Sequence, residues 1–229
     1  MNFKNPLILL ITTFVIHFGA IEVKAQSTLP SKVKRYLRSV EKDTLQIPED
    51  RKQVLQETAS HIISNSTVKL HFVCSHNSRR SQMAQLITEA IGQYYNINIE
   101  AYSGGTHATA LNPRAAATLQ RVGFDLKMAP GADIPQYSIQ LGEETFLMYS
   151  KKYDDMQNPK KDFIAIMVCS EADRACPIIP GATLRVALPY TDPRKFDGTE
   201  EEEKAYDIVC KQIARDLIYL MAKVKSASL

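Results

Sequence analysis

Val68-Lys69-Leu70-His71-Phe72-Val73-Cys74-Ser75-His76-Asn77-Ser78-Arg79-Arg80-Ser81 is the stretch from which the rest of the chain can be read. Its first half alternates β-branched and aromatic residues with polar ones and predicts a buried strand. Past Cys74 the chain turns polar, and Gln82-Met83-Ala84-Gln85-Leu86-Ile87 predicts the first turns of a helix. A loop this short between a strand end and a helix start can curl so that several backbone N–H groups face one point. The helix N-terminus adds its positive dipole end, and the resulting bowl suits a tetrahedral oxyanion. Cys74 lies at one end of that bowl, where amides, dipole and guanidinium all favour a thiolate. Arg80 supplies a planar fork for two anion oxygens. Ser75, His76, Asn77, Ser78, Arg79 and Ser81 complete the candidate oxyanion-binding loop. An isolated C-x5-R match reads as a buried cysteine beside two surface arginines. Here the strand–loop–helix context and the trailing Ser81 favour a catalytic anion loop.

Outward from this stretch, strand and helix patterns alternate to the C-terminus, which predicts a parallel α/β sheet. The helix from Ser81 runs to about Tyr95, and Ile97 to Tyr102 reads as a second strand ending in Ser103-Gly104-Gly105-Thr106-His107. The glycine pair is consistent with close backbone approach, and His107 reads as a surface histidine near the loop. Asn112-Pro113 caps a helix that stops at Gly123. Between Phe124 and Met156 only strand pieces around Ile139, Leu141 and Phe146 to Met148 are legible. Phe163 to Val168 is a continuous apolar run typical of a central strand, with Cys169 at its end, where open α/β sheets place their ligands. Leu184 to Leu188 predicts the next strand, Asp192-Pro193 a turn, and Glu200 to Glu203 the acidic start of a long helix that holds Cys210 on its apolar face.

Ahead of the first strand, Ser31 is placed to cap a helix with Val33, Tyr36, Leu37 and Val40 on one face. Pro48 restarts a second helix carrying Val54, Leu55, Ala59, Ile62 and Ile63. Neither helix carries a reactive constellation. Both are expected to pack outside the core domain or against a partner, with His61 as a helix-face residue.

Cys169 and Cys176 form a C-x6-C pair without ordinary zinc spacing, and no metal site is expected from these cysteines. Three readings of the pair stay open: a static disulfide, two unremarkable cysteines, or a resolving pair that serves Cys74.

Cys74 to Ser81 followed by Gln82-Met83-Ala84 resembles the active-site loop of low-molecular-weight protein tyrosine phosphatases and thioredoxin-coupled arsenate reductases. Tyr102-Ser103-Gly104-Gly105 with Asn112-Pro113 is similar to the same two families. The chain departs from them at His76 and Arg79, where they usually carry Gly and Cys, and the two changes predict a more electropositive loop. The resemblance covers roughly Val68 to the C-terminus. It implies a three-layer α/β sandwich around a central parallel four-stranded sheet, here with an N-terminal helical extension. It also implies that Asp192 is the general acid. Cys169-Ser170-Glu171-Ala172-Asp173 and Cys176-Pro177-Ile178-Ile179-Pro180 resemble the redox relay of the reductases, which plain tyrosine phosphatases lack. The implied activity is arsenate reduction through Cys74, Cys169 and Cys176, with an external dithiol such as a thioredoxin-like protein as reductant. The rival is hydrolysis of a phosphomonoester through a phosphocysteine, using Cys74, Arg80 and Asp192 alone. The related reductases hold potassium near the loop, partly with an acidic side chain where this chain has Gln85, and no cofactor or metal is expected here.

The chain has 229 residues, 45% hydrophobic and 23% charged, enough for one globular domain with a substantial core. A net charge of +3 and the lack of a basic block give no pull toward nucleic acid. Lys4, the apolar run Leu7 to Ile16 and Val23-Lys24-Ala25 have the layout of a cleaved secretory leader, too short for a membrane span. The expected division is a leader at 1–25, a helical extension at 26–66 and the main domain at 67–229. The mature protein is expected to be an exported, periplasmic monomer without a membrane anchor. For an exported protein, four cysteines would otherwise suggest structural disulfides.

Overall fold

The computed structural model describes residues 29–66, 69–131, 134–176 and 178–227; the leader expected at 1–25 and the Val68 start of the first strand lie outside them. Helices α1 (Ser31–Glu41) and α2 (Glu49–Asn65), joined by a 3-10 turn, precede β1 (Lys69–Cys74), α3 (Arg80–Tyr95), β2 (Glu100–Gly105) and α4 (Pro113–Val122). Three short strands follow, β3 (Leu126–Ala129), β4 (Gln136–Leu141) and β5 (Glu144–Met148). The chain then forms β6 (Phe163–Met167), α5 (Ser170–Ala175), β7 (Ala182–Ala187) and α6 (Glu202–Ala227).

The main sheet has the order β2-β1-β6-β7 and every pairing in it is parallel. The chain leaves β1 toward β2 on one side and later adds β6 and β7 on the other. This reversal makes the C-terminal end of β1 the crevice of the sheet. Both central strands are apolar throughout or nearly so: Phe163, Ile164, Ala165, Ile166 and Met167 are all buried. β3, β4 and β5 form a separate antiparallel sheet.

The expected boundaries shift at β2 and at the start of α1 for identifiable reasons, and β7 lies at Ala182–Ala187 rather than Leu184–Leu188. β2 begins at Glu100 rather than Ile97, because Asn96 ends α3 in a left-handed turn and the Ile97 amide goes back to the Gly92 carbonyl. It runs on through Gly104 and Gly105, which lack the side chains that would collide with Tyr153 and with the His76–Asn77 backbone. At the N-terminus Ser31 lies inside α1 and caps nothing, since Pro30 holds the cap position. Asn112 accepts from the Arg114 amide and Gly123 closes α4 at φ 118°, as their spacing predicts.

The two N-terminal helices are part of the main core. Val33, Leu37 and Val40 of α1 and Leu55, Ala59 and Ile62 of α2 are buried in one cluster with the sheet residues. Both helices contact α6, which also packs against α3.

Candidate active site

The Cys74–Arg80 loop is shaped by where its carbonyls point. The Cys74 carbonyl accepts from the Thr106 amide, Ser75 from the His107 amide, and Ser78 from the Asn112 amide. The His76 carbonyl accepts from the Ser150 and Thr109 hydroxyls, and that of Asn77 from the Gln82 side chain at 2.6 Å. A trans peptide holds its C=O and the next N–H in opposite directions. Five carbonyls tied outward therefore turn the amides of residues 75–79 inward, and a bowl of donors results. α3 begins at Arg80 and brings its N-terminus to the same point.

Cys74 lies at the floor, 4% exposed. Its Sγ receives the Asn77 amide at 3.2 Å and lies 3.0 Å from Ser81 Oγ. The direction of the second contact follows from its neighbours. The Lys151 amide donates to Asn77 Oδ1, which orients Asn77 Nδ2 to donate to Ser81 Oγ at 2.9 Å. The serine's own hydrogen is thereby left for the sulfur. Asn77 takes the left-handed turn at φ 45°, a conformation asparagine tolerates. His76 keeps negative φ, so the loop needs no glycine at that position. The glycine it does need is Gly105, where a Cβ would meet the His107 carbonyl at 2.3 Å and the Asn77 nitrogen at 2.7 Å.

Arg80 is buried and held on both guanidinium nitrogens, NH1 to the Tyr190 carbonyl at 2.9 Å and NH2 to Asp192 Oδ2 at 2.6 Å. Asp192 caps a 3-10 turn, Pro193–Phe196, through the Arg194 amide, with its side chain 39% exposed. The structure thus brings Cys74, Arg80 and Asp192 to one crevice.

Arg79 does not add charge to the mouth, contrary to the expectation. Its guanidinium goes to the Tyr206 hydroxyl at 2.9 Å and to Asp197 at 3.7 Å, so its part in the loop is its backbone. The buried Tyr206 hydroxyl donates in turn to Asp197, and burial raises that phenol to about 12. His76 stays exposed and stacks on His107, ring centroids 5.9 Å apart.

All four cysteines are free thiols. Val168, at the end of β6, donates to the Val73 carbonyl, which places Cys169 beside the loop. Cys169 Sγ lies 3.5 Å from Ser75 Oγ and accepts the Ala172 amide at the start of α5. Cys176 closes α5 at its other end, its thiol pushed up by burial and drawn down by Arg185. Cys210 is fully buried on α6 beside the Tyr36 hydroxyl, with its thiol raised to about 12, and lies outside this group.

The family model for the low molecular weight phosphotyrosine protein phosphatase matches residues 69–228. The chain belongs to that family. It is an enzyme of the low molecular weight phosphatase fold, with the parallel sheet and flanking helices described above. The arsenate reductase of Shouchella clausii is 32% identical over 134 residues, covering 58% of this chain and 79% of that protein. The arsenate reductase of Bacillus subtilis is 28% identical over 137 residues, covering 60% and 82%. A crystal structure of a YwlE mutant from Bacillus subtilis is similar at 16% identity and TM-score 0.48, over 69% of this chain and 99% of that one.

One contributor was missed in the sequence: Lys151, whose amide orients Asn77, sits in the stretch with no clear periodicity. Among the described residues, no three His, Cys, Asp or Glu side chains gather as metal ligands. No described helix is long and apolar enough to cross a membrane.

Proposed function

We propose that this family member is an arsenate reductase working through a relay of Cys74, Cys169 and Cys176. The observation that carries the reading is the placement of Cys169, free and against Ser75 of the oxyanion loop, at the start of the helix whose other end is Cys176. Curated relatives named as arsenate reductases support it.

In the first step Cys74 thiolate attacks arsenate held by the loop amides and Arg80. The incoming anion takes the Arg80 fork from Asp192, and the carboxyl carries a proton to the departing oxygen, which leaves as water. Cys169 thiolate then attacks the Cys74 sulfur. The S–As bond breaks with its electron pair on arsenic, arsenite departs, and a Cys74–Cys169 disulfide remains. Cys176 attacks Cys169 and restores the Cys74 thiolate. A dithiol reductant, which we infer to be thioredoxin-like, removes the Cys169–Cys176 disulfide.

The same Cys74, Arg80 and Asp192 suffice to cleave a phosphomonoester, since phosphate and arsenate share shape and charge. Membership of the phosphatase family favours that as a second activity. The two separate in one comparison: Cys169→Ser stops arsenite release, Cys176→Ser slows turnover after one arsenite per chain, and both leave phosphomonoester hydrolysis standing. Loss of both activities together in these variants contradicts the relay. We also infer that residues 1–25 are a cleaved leader and that the mature protein is a periplasmic monomer; a mature N-terminus at Gln26 would support the cleavage.

A further inference from the structure

Arg51 lies upstream of the residues that match the family model, yet it touches the segment that aims the anion-binding arginine. From the first turn of α2 its Nε donates to Asp216 Oδ2 at 2.5 Å, and its NH1 donates to the Pro189 carbonyl at 3.2 Å. Its guanidinium lies over the Tyr190 ring, 4.6 Å from the centroid. Tyr190 is the residue whose carbonyl holds Arg80, and Asp192 follows two residues later.

An ion pair between two helices would explain the Asp216 contact alone. Asp216, fully buried on α6, already has a cation on its other oxygen, since Arg215 donates to Oδ1 at 3.2 Å. The contacts to the Pro189 carbonyl and the Tyr190 face are additional, and they hold the segment at groups other than the one that Arg80 uses. At the far end of that segment, Arg79 and Tyr206 hold Asp197. The acid loop is thus fixed at both ends, and at its upstream end Arg51 of the N-terminal extension adds to the bond from the Tyr190 amide to the Val168 carbonyl.

We propose that Arg51 is a positioning residue for the oxyanion site: it fixes Pro189 and Tyr190 so that the Tyr190 carbonyl aims Arg80 into the loop. This rests on the reading of Cys74 to Arg80 as an oxyanion loop. Without Arg51 the Pro189 carbonyl loses its donor and the Tyr190 ring its cover, so Arg80 is held by a looser segment. Anion affinity falls while the bowl of amides stays intact.

The test is protection of Cys74 from iodoacetamide by inorganic phosphate, read by mass spectrometry of the Cys74 peptide in the full chain. Two variants are compared with the wild type. Arg51→Lys keeps a cation beside Asp216 and loses the fork. Arg51→Met with Asp216→Asn removes the fork without stranding a buried charge. The phosphate concentration giving half-protection is expected to rise about tenfold in both, the loss of roughly one charge-assisted hydrogen bond. Half-protection within twofold of wild type in a variant that keeps its thermal unfolding transition overturns the proposal. Should the double variant fail to fold, Arg51→Lys decides, because a purely structural ion pair predicts that it behaves as wild type. A wild type that phosphate does not protect overturns the oxyanion loop itself and this role with it.

Discussion

Cys74 differs from Cys176 and Cys210 in what surrounds its sulfur. Cys210 is surrounded by core with its thiol raised to about 12, and burial also raises Cys176. Cys74 instead receives a backbone amide and a serine hydroxyl whose orientation is set two bonds away by Asn77 and Lys151. Ser81→Ala removes one donor to the sulfur, and the rate of the first thiolate attack is expected to drop about tenfold or more in single-turnover kinetics. Arg80→Lys keeps the charge but not the fork, and arsenate turnover is expected to fall about a hundredfold. A different residue weighs on acid stability. His71 is fully buried on β1 with both ring nitrogens unpartnered, and burial, with Lys151 and Lys160 nearby, lowers it from 6.5 to about 3. Between those values the unfolded chain binds a proton that the folded chain does not, so stability falls as pH drops through the window and is unaffected above it. At pH 5 the loss is about 2 kcal/mol. Burial raises Glu89 to about 7, which acts in the opposite sense over the same window, so the check is a difference: from pH 8 to pH 5 the Tm of His71→Leu is expected to rise relative to that of wild type.

At the scale of elements, β1, the loop and α3 were legible because one short stretch changes from alternation to helical spacing with a polar break between. The relay segment was legible for a similar reason, an apolar strand ending at Cys169 before a polar run. The acid loop was only half legible. Asp192-Pro193 reads as a turn from its residues, but what holds it comes from residues more than a hundred positions away, Arg80, Arg79 and Arg51, and no local pattern records such contacts. Gly105→Ala is expected to damage the loop more than any exposed substitution, because a Cβ there meets backbone atoms that cannot swing aside. The expected result is a folded protein with arsenate turnover reduced at least tenfold, a step of about 1.4 kcal/mol in the barrier. α5 carries a second consequence. Seven residue steps at about 1.5 Å place the Cα atoms of Cys169 and Cys176 roughly 10 Å apart, beyond the roughly 7 Å that a disulfide spans. A static disulfide between them is therefore incompatible with this conformation, and closing the relay must unwind α5. Amide exchange over residues 170–175 is expected to quicken on oxidation in the wild type and to stay unchanged in Cys176→Ser.

Over the whole molecule, the N-terminal helices complete the core that the family-matched part leaves open. Leu37, Val40, Leu55 and Ile62 bury apolar side chains against it, each contributing on the order of 1.5–3 kcal/mol. Their helical periodicity was visible in the sequence, while their destination was not, since an apolar face does not name the surface it covers. A chain beginning at residue 67 retains everything that matches the family, yet it is expected to lose its cooperative thermal transition or to aggregate. In the proposed relay, oxidation passes from Cys74 in the oxyanion loop through Cys169 to Cys176. Disulfide mapping by mass spectrometry after one arsenate turnover without reductant tests it most directly. The account predicts one arsenite per chain and a new Cys169–Cys176 bridge, both absent in Cys74→Ser. Cysteines that all remain thiols after exposure to arsenate, or a bridge that forms regardless of arsenate and Cys74, would contradict it.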